Sequence, residues 1–266
     1  MVEVDETLRG VLISTAHDMA DAARGAILPH FRSQGLTADN KAKGAFDPVT
    51  VADREAETVM RAILAERRPD DGILGEEHGV KASESGLTWV LDPIDGTRGF
   101  ISGTPTWGVL IAVGDERGPF FGIIDQPYIG ERFVGGLGEA FVTGPMGRAE
   151  LRCRSTPALS QAVIFSTFPE VGTPAEGAAF QRLSQQCKLT RYGTDCYAYA
   201  LVAAGQIDLV VESGLFAYDI QGPMAVIEAA GGIVTNWQGG LAHQGGQVIA
   251  AANGKLHAAA LDILNA

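Results

Sequence analysis

The stretch TWVLDPIDGTRGF, residues 88 to 100, sets Asp92 and Asp95 three positions apart around a proline, directly after an apolar run. Asp-Pro and Asp-Gly are common turn dipeptides, so a solvated turn, a helix cap and a cradle for a cation are all open readings. Other acids bear on the choice. GEE at 75 to 77 brings Glu76 and Glu77 after a short apolar strand pattern, and AYDIQGPMAVIEAAGG places Asp219 at or just before a helix start. In that helix Pro223 would fall in the first turn and Gly231 at the end. Asp219 reads equally as an N-cap or as a ligand. Magnesium takes near-octahedral oxygen ligation from a few carboxylates with water and phosphate, and Glu76, Asp92, Asp95 and the Ile94 carbonyl offer that chemistry. The five histidines show no HExxH or HxxH spacing, so a metal here would be held by oxygen.

The elements that must position these groups follow from periodicity. Apolar residues recur at helical spacing from Leu8 to Ile27 and stop at Pro29; a second helix opens near Thr50, with Asp53 three residues on, and runs toward Pro69. Strand patterns then follow at 72–77, 88–92, 107–113, 120–125 and 132–136, which predicts two helices on a largely antiparallel sheet. After about residue 150 the pattern alternates. Strands at 162–166, 189–193, 206–212, 232–236 and 247–253 are interleaved with helices around 176–187, 195–204, 219–230 and 255–264, an α/β half. The expected fold class is therefore α+β followed by α/β, with an N-terminal subdomain over 1–145 carrying most ligands and a C-terminal one over 146–266. Ligands of open α/β sheets gather outside the carboxyl ends of strands, where Asp92, Glu212 and Asp219 fall, so the active site is expected in the cleft between the halves.

Composition narrows the function classes. With 266 residues and 46% hydrophobic content, the chain suits one large domain or two closely joined ones. The net charge of −12, with lysines and arginines scattered, excludes a nucleic-acid partner. Three widely spaced cysteines without a CxxC pair indicate neither a disulfide framework nor a zinc site. The acidic N-terminus lacks a signal-like apolar stretch and no run of about 18 apolar residues occurs, so no membrane association and a cytoplasmic location are expected.

Four segments in order, DPVTVADREAE at 47 to 57, GEE, WVLDPIDGTRGF and YDIQGP with its following AAGG, resemble the inositol monophosphatase superfamily of magnesium-dependent, lithium-sensitive phosphatases. The resemblance implies a layered αβαβα sugar-phosphatase fold, a homodimer, and two or three Mg2+ ions per site. It implies that Glu76, Asp92, Asp95, Asp219 and the Ile94 carbonyl ligate them, with Glu77 in the same shell. It further implies that Thr97 pairs with Asp53 to orient and deprotonate the attacking water, with Glu76 sharing the catalytic work. Gly96 and Thr97 would turn their backbone N–H groups to the phosphate at a helix start, where unpaired amides and the dipole meet an anion.

The substrate is a small-molecule phosphate ester on this resemblance. Inositol-processing members typically have His three residues before the last metal aspartate and Trp directly before it, where this chain has Phe216 and Tyr218. DPIDGTRGFISGTPTWGVLIAV and RYGTDCYAYALVAAGQIDLVVE are similar instead to the histidinol-phosphate phosphatase branch, which serves histidine biosynthesis. Histidinol phosphate carries an ammonium and an imidazole, which Asp195 and Glu212 would suit, with Arg98 and Phe216 as further contacts. Asp195 also reads as a helix cap and Glu212 as a solvated strand end. Inositol-1-monophosphatase, a 3′-nucleotide phosphatase and a regulatory homologue without turnover are the alternatives.

Overall fold

The computed structural model describes residues 2–34, 36–40 and 48–266; Asp47, which opens the DPVTVADREAE segment, lies outside them. Helix α1 (Glu6–Ile27) starts where the Asp5 carboxylate accepts the Leu8 N–H at 2.7 Å, and it buries Leu12, Ala16, Met19, Ala23 and Ile27. A short strand pair, β1 (Asp39–Asn40) and β2 (Pro48–Val49), precedes α2 (Val51–Arg67). At the start of α2 the Asp53 carboxylate accepts from the backbone N–H of the cap residue Thr50 at 2.8 Å, and the Thr50 hydroxyl accepts the Ala52 N–H at 3.1 Å.

The first sheet comprises β3 (Gly72–Gly75), β4 (Gly79–Lys81), β5 (Thr88–Asp95), β6 (Gly108–Asp115), β7 (Gly118–Gln126), β8 (Glu131–Gly136), β9 (Glu139–Gly144) and β10 (Gly147–Glu150). Their order is β10-β9-β8-β7-β6-β5-β3-β4, antiparallel except for the parallel β3–β5 pair. The one-turn helix α3 (Thr97–Ile101) leaves the end of β5. A second sheet joins β11 (Val163–Ser166), β12 (Leu189–Tyr192), β13 (Leu209–Leu215), β14 (Ile233–Thr235) and β15 (Gly246–Ala251) in the order β12-β11-β13-β15-β14. It is mixed: β11 runs parallel to β12 and β13, and β15 antiparallel to β13 and β14.

Three cores stack the layers. One joins α1 and α2 to the first sheet; a second joins that sheet to α5 (Asp195–Ala203), α6 (Ala217–Ala229) and the second sheet; a third covers the far side with α4 (Pro174–Ser184) and α7 (Gly254–Leu264). The αβαβα layering and the mixed α+β class follow. Backbone-to-backbone approach sets the middle layer. A Cβ on Gly135 would stand 2.4 Å from the Val226 Cα, and one on Gly122 2.5 Å from the Gly222 carbonyl oxygen, so α6 lies directly on the first sheet.

Several elements differ from the sequence expectation. Strand β5 continues past Asp92 to Asp95 through a register irregularity. The β9–β10 hairpin and β4 add strands that periodicity did not mark. The residue 145 division falls inside that hairpin, since the first sheet continues to Glu150. Helix α6 opens at Ala217, so Pro223 lies in its interior instead of its first turn. Among the described residues no helix is long and apolar enough to cross a membrane.

Candidate active site

Strand β5 and helix α6 deliver the central acids. Oxygen atoms of Asp92, Asp95 and Asp219 lie within 4.8 Å of one another. The irregularity in β5 is what lets two acids three residues apart face one point. The Asp92 carboxylate accepts the Ile94 N–H at 3.0 Å, an Asx-type turn around Pro93, and the strand resumes at Asp95. Asp95 is held by the start of α5, accepting the Cys196 N–H at 2.6 Å. Asp219 is the third residue of α6 and accepts the Phe216 N–H at 2.7 Å, so it reaches back to the cap residue rather than being the cap. Glu76 follows β3, its N–H donating to the Leu91 carbonyl at 3.2 Å, and its carboxyl meets that of Asp92.

Burial, then the charges of Glu76, Asp95 and Asp219, hold the Asp92 carboxyl well above the usual range; burial and then Asp219 and Asp195 do the same for Asp95. Asp219 is pushed up to about 7, mainly by burial, against the lowering bond from Phe216. Carboxylates crowded and buried in this way repel one another unless a cation joins them. An all-oxygen, anionic donor set of this kind fits a hard divalent cation such as magnesium.

Beside the cluster, the Thr97 hydroxyl lies 3.5 Å from Asp53 Oδ1 and donates to the Ile94 carbonyl at 3.1 Å. The other oxygen of Asp53 accepts from the Thr50 hydroxyl at 2.6 Å and the Thr50 N–H, which fixes the carboxyl toward Thr97. Burial raises the proton affinity of Asp53, the Thr50 bonds lower it, and Glu77 nearby raises it. Gly96 caps α3 with φ +87°, and a Cβ there would stand 2.9 Å from the Asp195 Cβ, so both conformation and space require glycine.

A cavity of about 400 Å³ is lined by Glu76, Asp95, Thr97 and Asp219 together with Asp195, Glu212, Phe216 and Arg98. Thr194 is the cap of α5; Asp195 is its first residue, at a left-handed φ of +45°. Burial, then Glu212, pushes the Asp195 carboxyl up to about 6, and Arg98 lowers it. Glu212 is no solvated strand end. It is buried, one oxygen accepting the Thr167 N–H at 2.8 Å and hydroxyl at 2.5 Å, the other the Tyr199 hydroxyl at 2.7 Å. At the rim the Arg98 guanidinium lies 4.9 Å from the centre of the Phe168 ring, and Phe216, 60% exposed, stacks on Tyr218. Sequence reasoning marked Thr50 only as a helix start, and it missed Thr167 and Phe168, which line the cavity. Tyr199 carried a signal, standing one helical turn after Asp195 on α5.

A layered αβαβα fold here gathers carboxylates between a β-strand and a helix start into a site suited to a hard divalent cation. Residues 9–266 match the Inositol monophosphatase family, and the chain belongs to that family; it is a phosphatase. It is 39% identical over 89% of its length, and 67% of the relative's, to the chloroplastic bifunctional phosphatase IMPL2 of Arabidopsis thaliana. It is 34% identical to a histidinol-phosphatase of Mycobacterium tuberculosis, covering 93% of this chain and 95% of that one. The structure superposes on an inositol monophosphatase from Zymomonas mobilis with TM-score 0.84 and 41% identity, over 96% of this chain and 97% of the other.

Proposed function

We propose that this phosphatase is a magnesium-dependent phosphomonoesterase whose substrate is histidinol phosphate, released as histidinol and phosphate. The observation that carries the reading is one cavity that Asp95 and Asp219 of the carboxylate cluster line together with two further acids, the half-buried Asp195 and the buried Glu212. An ester whose leaving group bears an ammonium and an imidazole complements these two additional acids, whereas a neutral polyol does not.

Glu76, Glu77, Asp92, Asp95, Asp219 and the Ile94 carbonyl would hold magnesium, which when bound neutralises phosphate charge and lowers the pKa of water. The chain's own groups do the rest. Thr97 orients the attacking water and passes its proton to Asp53, whose raised proton affinity suits an acceptor. The N–H groups of Gly96 and Thr97, at the start of α3, donate to phosphate oxygens. Asp195 accepts from the cationic leaving group, with Glu212 behind it braced by Thr167 and Tyr199. Similarity to the Zymomonas mobilis inositol monophosphatase supports inositol 1-phosphate as the second reading.

Phosphate release with magnesium from histidinol phosphate, inositol 1-phosphate and a 3′,5′-nucleotide separates these. A charge-assisted hydrogen bond contributes about 1.5–3 kcal/mol, so Asp195→Asn should lower kcat/KM for histidinol phosphate roughly ten- to a hundredfold relative to glycerol phosphate. Equal losses on both esters, or a preference for inositol 1-phosphate, would overturn the substrate assignment.

A further inference from the structure

One buried acid next to the site is not among the groups assigned so far. Glu57 lies on α2 one turn beyond Asp53, and its side chain is fully buried. Its carboxylate faces the turn between β3 and β4. One oxygen accepts the Glu77 N–H at 2.6 Å; the other accepts the His78 N–H at 3.2 Å and the Arg61 Nε–H at 2.7 Å. Arg61 also donates to the Gly79 carbonyl, so the Glu57–Arg61 pair grips the turn at three successive residues, 77 to 79. Gly75 completes the fit, because a Cβ there would stand 2.0 Å from the Glu57 carboxylate oxygen. From the other side the Glu76 N–H is fixed to the Leu91 carbonyl of β5. Glu76, whose carboxyl meets Asp92, is thus clamped between α2 and the strand that carries Asp92.

We propose that Glu57 is a positioning residue for the cation site: it does not ligate, but holds the Glu76–Glu77 turn in register with Asp92 and with the Asp53–Thr97 pair. The inference rests on the metal-phosphatase reading. Its logic is mechanical. Asp53 and Glu57 project from one face of one helix, so α2 fixes the distance between the water-orienting pair and the Glu76 side of the cluster. A buried carboxylate accepting two backbone N–H groups and a guanidinium makes a stiff joint, since each donor would lose its partner if the turn moved. Ligand-orienting partners of this kind typically change metal affinity or activity ten- to a hundredfold when replaced.

The test measures metal binding directly. Glu57→Gln puts an amide where donors converge on both oxygens, so one contact must break. In calorimetric titration with Mn2+ alone, E57Q should bind about ten- to a hundredfold more weakly than the unsubstituted protein. KM for the phosphate ester at saturating metal should stay within about twofold, and excess magnesium should restore most turnover. Unchanged Mn2+ affinity in folded E57Q overturns the inference, as does a KM defect that excess metal leaves in place. Failure of the unsubstituted protein to bind Mn2+ at all would instead sink the metal-phosphatase reading. Should E57Q not fold, Arg61→Gln keeps the carboxylate and removes its outer strut. Mn2+ binding weakened severalfold by R61Q supports the inference, and unchanged affinity overturns it.

Discussion

At Asp219 burial raises the carboxyl's proton affinity, the Phe216 N–H lowers it, and Glu76 and Glu212 raise it again, leaving it at about 7. A group raised above its unfolded value stabilises fully below the unfolded carboxyl range of about pH 4, and that contribution is lost as pH rises through the folded value. Asp53, Asp92, Asp95 and Asp195 are raised as well, each first by burial. The lowered histidines, His17 and His257, act in the opposite sense but are fewer. Metal-free protein should therefore lose thermal stability between about pH 4.5 and 7. Excess magnesium, which needs deprotonated ligands, should weaken or reverse that slope. Melts in chelator and in magnesium across this range check the sign; a metal-free Tm that climbs with pH would contradict it. The acids that meet in the cluster were legible because Asp92, Asp95 and Asp219 each stand where a periodic pattern breaks. Thr167 and Glu57 were not, because their contacts are tertiary: Thr167 meets Glu212 across 45 residues of sequence, and Glu57 meets Glu77 and His78 on the far turn.

Helix α6 is the element on which the site's geometry depends, since it carries Asp219 and lies directly against the first sheet at Gly122 and Gly135. A methyl at either glycine must push backbone, which cannot swing aside as a side chain can. Gly135→Ala should destabilise the protein by about 1–3 kcal/mol, the usual range for overpacking a filled core. It should also weaken divalent-cation binding, because the displaced helix takes Asp219 with it. Urea unfolding combined with a Mn2+ titration tests both; loss of stability with unchanged cation affinity would mean that α6 yields elsewhere along its length. Pro223 gives it one such place, because proline has no N–H for the Asp219 carbonyl four residues earlier. The start of α6 was read two residues late for a related reason. Most of the helix from Ala217 to Ile227 is buried, so no polar stripe marks where helical periodicity begins. The β9–β10 hairpin was missed for the converse reason: β10 is exposed throughout, an edge strand with no buried face to produce alternation.

Across the whole molecule the two sheets share a core. Leu110, Ile124 and Phe133 of the first sheet pack in one cluster with Tyr199 and Ile220 of the middle helices and Val210 and Val248 of the second sheet. The change from antiparallel to alternating patterns was visible in the sequence, but not that both sheets would bury their inner faces on the same two helices, because that depends on contacts far apart along the chain. Thermal unfolding should therefore be one cooperative transition, since neither sheet keeps its inner face covered alone. The acids are divided in the same way, Asp92 and Asp95 coming from a strand of the first sheet and Asp219 from the middle layer. A divalent cation bound across them should raise the entire transition. At a concentration a hundredfold above its Kd, a ligand specific for the folded state adds about 2.7 kcal/mol, or roughly 5–10 °C for a chain of this size. Calorimetry with and without magnesium decides the point. Two transitions, with magnesium moving only one, would mean that the layers unfold separately and that the cation joins side chains within one of them.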